Sequence, residues 1–228
     1  MFRKMKSNWP IVTLLLVLGA LPAIPGVFIL KGVLNGPDIA PGSDAFLHIS
    51  GFYFAAPAPI MLHIIFGILF CIAVPFQFSA AIRQRWPVWH RIGGRVVLVS
   101  GIVLGLSTLW MIHFYPLKGN NALKYSVMMI SSLGIILSLG LALFEVKRRN
   151  IPQHRAWMMR AVAITFGGSS AAIFMIPYFL MFGEPSQIAS AASRWIGLIL
   201  NLCIVEYILC RAGKPMRKEK GRILQNGA

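Results

Sequence analysis

The segment Arg83-Gln-Arg-Trp-Pro87-Val-Trp-His90-Arg91 separates two apolar runs, residues 58–81 and 92–114. Each run is long enough to cross the hydrocarbon core of a bilayer, which takes about 20 apolar residues in a helix. A basic segment between two such runs is typical of a short cytoplasmic loop. The sequence therefore predicts a pair of antiparallel membrane-spanning helices joined on the cytoplasmic side.

The rest of the chain repeats this pattern of long apolar runs. Further predicted spans cover residues 10–33, 123–146, 159–182 and 192–211. Six spans predict one all-α transmembrane domain over residues 1–228, with a basic tail at 212–228. The outer loop 34–57 contains an aromatic cluster, which predicts a short re-entrant or surface-lying segment. The cluster consists of Phe46, Phe52, Tyr53 and Phe54.

The basic residues decide the orientation. Of the 22 Lys and Arg residues, 18 lie in the two terminal tails, in the second and fourth gaps between spans, or at the span ends that adjoin them. Because positively charged loops stay cytoplasmic, this distribution predicts both termini inside and an inner-membrane location. The first run could instead be a signal peptide, since Arg3, Lys4 and Lys6 precede it. Its apolar character continues to Val33, which favours an uncleaved span.

Composition favours a membrane over nucleic acid as the partner of this basic chain. The net charge is +16, but 57% of the residues are hydrophobic and the mean hydropathy is +0.72. Because the basic residues flank apolar runs, anionic lipid head groups are the expected partner. Cys71, Cys203 and Cys210 have no metal-ligand spacing, so no metal site is predicted.

A second loop resembles the first. It reads Lys147-Arg-Arg-Asn-Ile-Pro152-Gln-His154-Arg155, and Arg160 follows it as Arg95 follows the first loop. Each loop has a basic cluster, a proline and a His-Arg pair. This predicts a duplicated helical hairpin, with spans two and three related to spans four and five. Chance is the alternative, because positive-inside selection and helix-starting prolines also produce such loops.

Three motifs resemble a bacterial family of predicted membrane proteins, domain of unknown function 2306. The first is His90-Arg-Ile-Gly-Gly-Arg95, preceded by Phe76-Gln-Phe78 and Arg83. The second is His154-Arg-Ala-Trp-Met-Met-Arg160, and the third is Asn201-Leu with Glu206. The resemblance covers about residues 58–210. It implies a membrane architecture and no catalytic role, and His113 lies outside the family's pattern.

Two carboxylates lie within the predicted spans. Glu145 lies at the inner end of span four, where snorkelling to the interface explains it. Glu206 lies about two turns inside the last span, where an unpaired carboxylate is costly. We therefore predict that Glu206 forms an ion pair with at least one arginine at similar depth, rather than a substrate or proton site. The candidates are Arg91, Arg95, Arg155 and Arg160.

Histidines at matched depth raise the alternative of haem b. His63 and His113 lie near the outer face, and His90 and His154 near the inner face, so either pair could supply two axial ligands. However, His90 and His113 are 23 residues apart, and at about 1.5 Å per residue two haems would lie in the head-group layers. Each inner histidine also precedes an arginine, which suits a phosphate better than a haem edge.

The functional prediction is a cytoplasmic rim that is structural or binds anionic head groups. Its residues are His90, Arg91, Arg95, His154, Arg155, Arg160 and Glu206. No catalytic residue and no oligomeric state follow from the sequence. A b-type haem redox protein and a small-solute transporter, the latter dependent on Glu206, are the alternatives. Pro75 and Pro177 lie within spans and predict kinks, and they would line a ligand cavity if one existed.

Overall fold

The computed structural model describes residues 9–36, 51–115 and 122–225, with the backbone alone for residues 213–225. These residues are almost entirely helical. The helices are α1 (Trp9–Asn35), α2 (Gly51–Ala55), α3 (Pro57–Gln77), α4 (Ala80–Arg85), α5 (Pro87–Phe114), α6 (Ala122–Lys147), α7 (Ile151–Thr165), α8 (Gly167–Phe182) and α9 (Gln187–Gln225).

Six helical segments in the described ranges are long and apolar enough to cross a membrane. They are α1, α3, α5, α6, the α7–α8 pair and the first part of α9. Successive segments pack as neighbours, and α1 packs on α3 and α8. The all-α multi-pass membrane architecture predicted from the sequence is confirmed.

Two spans begin earlier than the apolar runs predict. Helix α5 begins at Pro87 rather than at 92, and α7 begins at Ile151 rather than at 159. Both have a proline in the first two positions. Proline suits a helix start, because its missing N–H would have no intrahelical partner there. The two His-Arg pairs therefore lie in the first turns of helices, not in loops.

The two basic connections differ in structure. The predicted span 58–81 ends at Gln77, and the short helix α4 follows, with the Ile82 amide donating to the Ser79 hydroxyl at 3.3 Å. The second connection has only residues 148–150 between α6 and α7, with Arg149 at a φ of 61°. The duplicated hairpin remains a prediction.

The last two spans also differ from their predicted bounds. The span 159–182 contains a break at Phe166 between α7 and α8. Helix α9 begins at Gln187 rather than at 192 and continues through most of the predicted tail. In the outer loop, α1 reaches Asn35 and α2 occupies Gly51–Ala55. Residues 37–50, which include Phe46, lie outside the described residues, as do 1–8, 116–121 and 226–228.

Small residues bring the helices close at the centre of the bundle. Phe70, Val74 and Val97 are fully buried. A Cβ atom at Gly101 would lie only 2.4 Å from a Leu139 methyl carbon, so a larger residue there would have to displace this buried side chain where α5 meets α6. Many large apolar side chains, such as Leu180 at 77% exposure, face outward. An apolar exterior of this kind suits contact with lipid rather than water.

Candidate functional site: the basic end and the interior cavity

The end of the bundle that contains the connections 78–86 and 148–150 is called here the basic end. Arg160 of α7 and Glu206 of α9 pair near this end. Arg160 Nε donates to Glu206 Oε1 at 2.6 Å, and Arg160 Nη2 donates to Oε2 at 3.0 Å. The guanidinium also lies 4.6 Å from the Trp157 ring centroid. Of the four arginines that the sequence offers to Glu206, Arg160 is the one in this contact. The pair joins α9 to the helix that bears the second His-Arg motif.

Asn201 connects α9 to both sides of the break at Phe166. Its Nδ2 donates to the Ala163 carbonyl at 3.1 Å, and its Oδ1 accepts from the Ser170 hydroxyl at 2.9 Å. Ala163 belongs to α7 and Ser170 to α8. One amide thus provides partners for polar groups on both helices, where lipid could provide none. The motif residues Asn201 and Glu206 therefore both connect α9 to the span formed by α7 and α8.

Helix α9 approaches α8 more closely than a side chain would permit. A Cβ atom at Gly197 would lie 2.3 Å from the Gly167 carbonyl oxygen, and a Cβ at Gly167 would lie 3.2 Å from the Leu198 Cα. Both neighbouring atoms belong to the backbone, so a change of side-chain rotamer cannot relieve the clash. The sequence shows these glycines, but it does not show that they face each other.

His90 and His154 both lie at the basic end, within electrostatic reach of each other. Each is the fourth residue of its helix, α5 or α7. His154 donates from Nδ1 to the Ala142 carbonyl at 2.8 Å, with the tautomer assigned from this contact. His90 lies within electrostatic reach of His154 and Arg83, and its Nδ1 is buried without a hydrogen-bond partner among the described residues. The fold therefore places both inner histidines at the same end of the bundle, on different helices.

The glycines of the first His-Arg motif make room for Gln77. A Cβ atom at Gly93 would lie 2.4 Å from Gln77 Nε2, and one at Gly94 would lie 3.6 Å from Gln77 Oε1. Gln77 ends α3 two residues after Pro75. The motif therefore packs the carboxyl end of α3 against the first turns of α5.

Three arginines of the predicted rim are exposed at the basic end: Arg91, Arg95 and Arg155. Within the described side chains, the only ion pair is that of Arg160 with Glu206. Glu145 instead accepts from Asn150 Nδ2 at 2.7 Å. The rim thus divides into one paired arginine and three arginines without a carboxylate partner among the described residues.

The outer histidines are not brought together. His63 Nδ1 lies 3.1 Å from Thr108 Oγ1 and 3.4 Å from Ser107 Oγ. His113 is exposed, bonds the Leu109 carbonyl of its own helix and lies edge-on to Tyr125. Five residues separate Thr108 from His113, a rotation of about 140° around the helix. His113 therefore faces away from His63.

A partly open cavity of about 440 Å³ lies between the helices, away from the basic end. Helices α1, α3, α5, α6, α7, α8 and α9 all contribute to its wall. Its prolines are Pro22 and Pro25 of α1, so the prediction that Pro75 and Pro177 would line a cavity is wrong. Its charged residue, among those the structure describes, is Arg194, one of the four basic residues outside the 18 that predict the cytoplasmic side. Glu206, on which the transporter interpretation depends, is not among the lining residues.

Two tyrosines, one in α2 and one directly after α5, pack against each other. The rings of Tyr53 and Tyr115 lie 5.4 Å apart, and the Tyr115 hydroxyl donates to the Ala56 carbonyl. Burial raises the pKa of both phenols, although the charge of Arg194 opposes this for Tyr53. Both phenols are therefore neutral at physiological pH.

The described residues contain no group of three or more His, Cys, Asp or Glu side chains suited to a metal ion. Comparisons with curated proteins and with solved structures found no match. The family model for a predicted membrane protein, DUF2306, matches residues 60–209. This range agrees closely with the resemblance seen in the three motifs and includes both His-Arg pairs, Asn201 and Glu206. The chain belongs to the DUF2306 family of predicted membrane proteins.

Proposed function

We propose that this membrane protein lies in the inner membrane with both termini cytoplasmic, and that its basic end binds anionic lipid head groups. The observation that carries the proposal is that only one of the four rim arginines has a carboxylate partner among the described residues. Arg91, Arg95 and Arg155 are exposed without carboxylate partners in the described part of the chain, whereas Arg160 is paired with Glu206.

The position of these arginines suits a lipid phosphate. Each follows a helix-starting proline by three to eight residues, so it lies near the membrane surface if the helix spans the bilayer. Guanidinium groups donate several hydrogen bonds in the plane of a phosphate, and each basic residue near an anionic surface contributes about 1 kcal/mol. In this proposal Arg160 and Glu206 have a structural role and the three exposed arginines bind lipid.

Lipid-dependent unfolding tests this proposal. The protein in a neutral maltoside detergent is heated with added phosphatidylglycerol or phosphatidylcholine. We expect phosphatidylglycerol to raise the Tm more than phosphatidylcholine does, and the triple variant Arg91→Gln, Arg95→Gln, Arg155→Gln to lose this difference. A tail variant with the same charge change, Lys214→Gln, Arg217→Gln, Lys218→Gln, should keep it. Equal responses in the wild type and the rim variant would overturn the proposal.

A b-type haem between His90 and His154 is the second candidate function. Its support is the position of the two imidazoles on different helices within electrostatic reach of each other, and the Nδ1 bond of His154 to the Ala142 carbonyl, which leaves Nε2 available to ligate iron. The His63–His113 pairing has no such support. A visible spectrum of protein expressed with added haem precursor tests it. A Soret band lost in His90→Ala and His154→Ala but retained in His63→Ala and His113→Ala would establish this ligation, and an absent band would exclude it.

A further inference from the structure

Arg194 occupies an unusual place in the bundle. It lies seven residues after the start of α9, about 10 Å below that end of the helix at 1.5 Å per residue. His63 of α3 and Thr108 of α5 lie at a similar depth, about 9 Å from their helix ends. All three line the 440 Å³ cavity. Arg194 lies below the end of its helix with many neighbouring atoms around it, and its exposed side chain contributes to the cavity wall.

No described carboxylate neutralises Arg194. The three acidic side chains that the structure describes are Glu145, Glu184 and Glu206. Glu145 bonds Asn150, Glu206 pairs with Arg160, and Glu184 lies exposed in the connection between α8 and α9. Lys124 lies within electrostatic reach of Arg194 and is basic as well. An arginine inside a membrane domain normally has an anionic partner or marks a ligand path.

The part of the cavity wall formed by α3 and α5 has a second polar contact. The hydroxyls of Ser107 and Thr108 both donate to the Leu104 carbonyl, at 3.0 and 2.8 Å. They are therefore left as acceptors toward His63, so Nδ1 of His63 carries the proton. Its Nε2 is then a free acceptor. Ser131, Ser132, Thr165 and Ser169 complete the polar lining.

Most of the remaining wall is apolar. Leu21, Ile64, Ile68, Leu104 and Met111 lie among the lining residues, and a pocket of a few hundred Å³ accommodates a small organic molecule. A dianionic phosphate would leave uncompensated charge against a single lining arginine. One guanidinium matches one carboxylate through two parallel hydrogen bonds.

We propose that the cavity binds a small organic carboxylate, with the carboxylate on Arg194 and an apolar body between α1, α3, α5 and α6. This site is separate from the rim at the basic end and does not depend on lipid binding there. Octanoate is a suitable probe, because its single carboxylate and seven-carbon tail have the required chemistry. Octan-1-ol has a tail of similar length without the charge.

The experiment measures octanoate binding to the full chain in detergent by isothermal titration, at concentrations below micelle formation by the probe. We expect saturable binding of octanoate and none of octan-1-ol. Arg194→Gln should weaken binding about tenfold or more, since it removes a charge-assisted hydrogen-bond pair. Lys147→Gln, an exposed position outside both the cavity and the rim, should leave it unchanged.

A second variant tests the cavity without altering its charge. Gly168 lines the cavity, and a Cβ atom built there meets nothing within 4 Å. Gly168→Leu should therefore place a bulky side chain at the cavity wall and weaken binding without lowering the Tm. Gly140→Leu is the matched control, because Gly140 also has open space around its Cβ position but does not line the cavity.

Two results would overturn the proposal. One is octanoate binding that is unaffected by both Arg194→Gln and Gly168→Leu, or no saturable binding at all. The other is binding that appears only after Asp38→Asn or Asp44→Asn, two acids of the sequence 37–50. That result would assign Arg194 a partner within the chain in place of a ligand.

Discussion

The Nε and Nη2 atoms of Arg160 donate two parallel hydrogen bonds to the carboxylate of Glu206, at 2.6 and 3.0 Å. This contact crosses from α7 to α9 over 46 residues of sequence. It links the second His-Arg motif to the last motif of the family, and it leaves the neighbouring arginines of the rim free for other anions.

The first prediction concerns this ion pair. Arg160→Gln and Glu206→Gln should each lower the Tm in detergent, because each leaves a charge without its partner. A double-mutant cycle should give a coupling of about 1 kcal/mol, since both side chains keep some exposure. Arg155→Gln combined with Glu206→Gln is the control and should be additive. Additive effects of Arg160→Gln and Glu206→Gln would show that the contact contributes nothing to stability.

The second prediction concerns Asn201. Asn201→Ala removes partners from the Ala163 carbonyl and the Ser170 hydroxyl, which lie on the two sides of the helix break. Because lipid cannot replace these bonds, we expect a loss of about 1–2 kcal/mol in stability. Leu200→Ala, at an exposed neighbouring position, should have a smaller effect on the Tm. Equal losses in both variants would contradict a specific role for the amide.

The third prediction concerns the contact of α8 with α9. Gly197→Ala places a methyl group 2.3 Å from the Gly167 carbonyl oxygen, so the two helices must separate. We expect a cost of about 1–3 kcal/mol, as for other overpacked sites. Gly140→Ala is the control, since its Cβ would meet nothing within 4 Å. An unchanged Tm in Gly197→Ala would mean that the helices do not approach this closely.

The fourth prediction concerns orientation. In a variant with Cys71, Cys203 and Cys210 replaced by serine, single cysteines are introduced at Asn150 and at Glu184, which lie in connections at opposite ends of the bundle. With both termini inside, a membrane-impermeant maleimide should label Glu184→Cys in intact spheroplasts and Asn150→Cys only after lysis. The reverse pattern would place the basic end outside.

The sequence predicted the architecture because apolar length and charge distribution are local properties. Four arginines are predicted to lie at a similar depth to Glu206, so the sequence limits its ion-pair partner to these four. Which of them forms the pair depends on the rotation and packing of α7 and α9, and it is Arg160. The sequence did not identify Arg194 as a cavity residue. The distribution of charges indicates the side of the membrane on which a residue lies, but not the direction in which its side chain points from the helix. The break at Phe166 also has no strong local signal beyond the two glycines that follow it.

The most direct test of head-group binding at the basic end is a count of retained lipid by native mass spectrometry. The protein is released from micelles that contain equal amounts of phosphatidylglycerol and phosphatidylcholine. We expect the wild type and the tail variant to retain phosphatidylglycerol in preference to phosphatidylcholine, and the variant lacking Arg91, Arg95 and Arg155 to show no preference. Retention of both lipids in equal amounts by the wild type, or an undiminished preference in the rim variant, would contradict the proposed function.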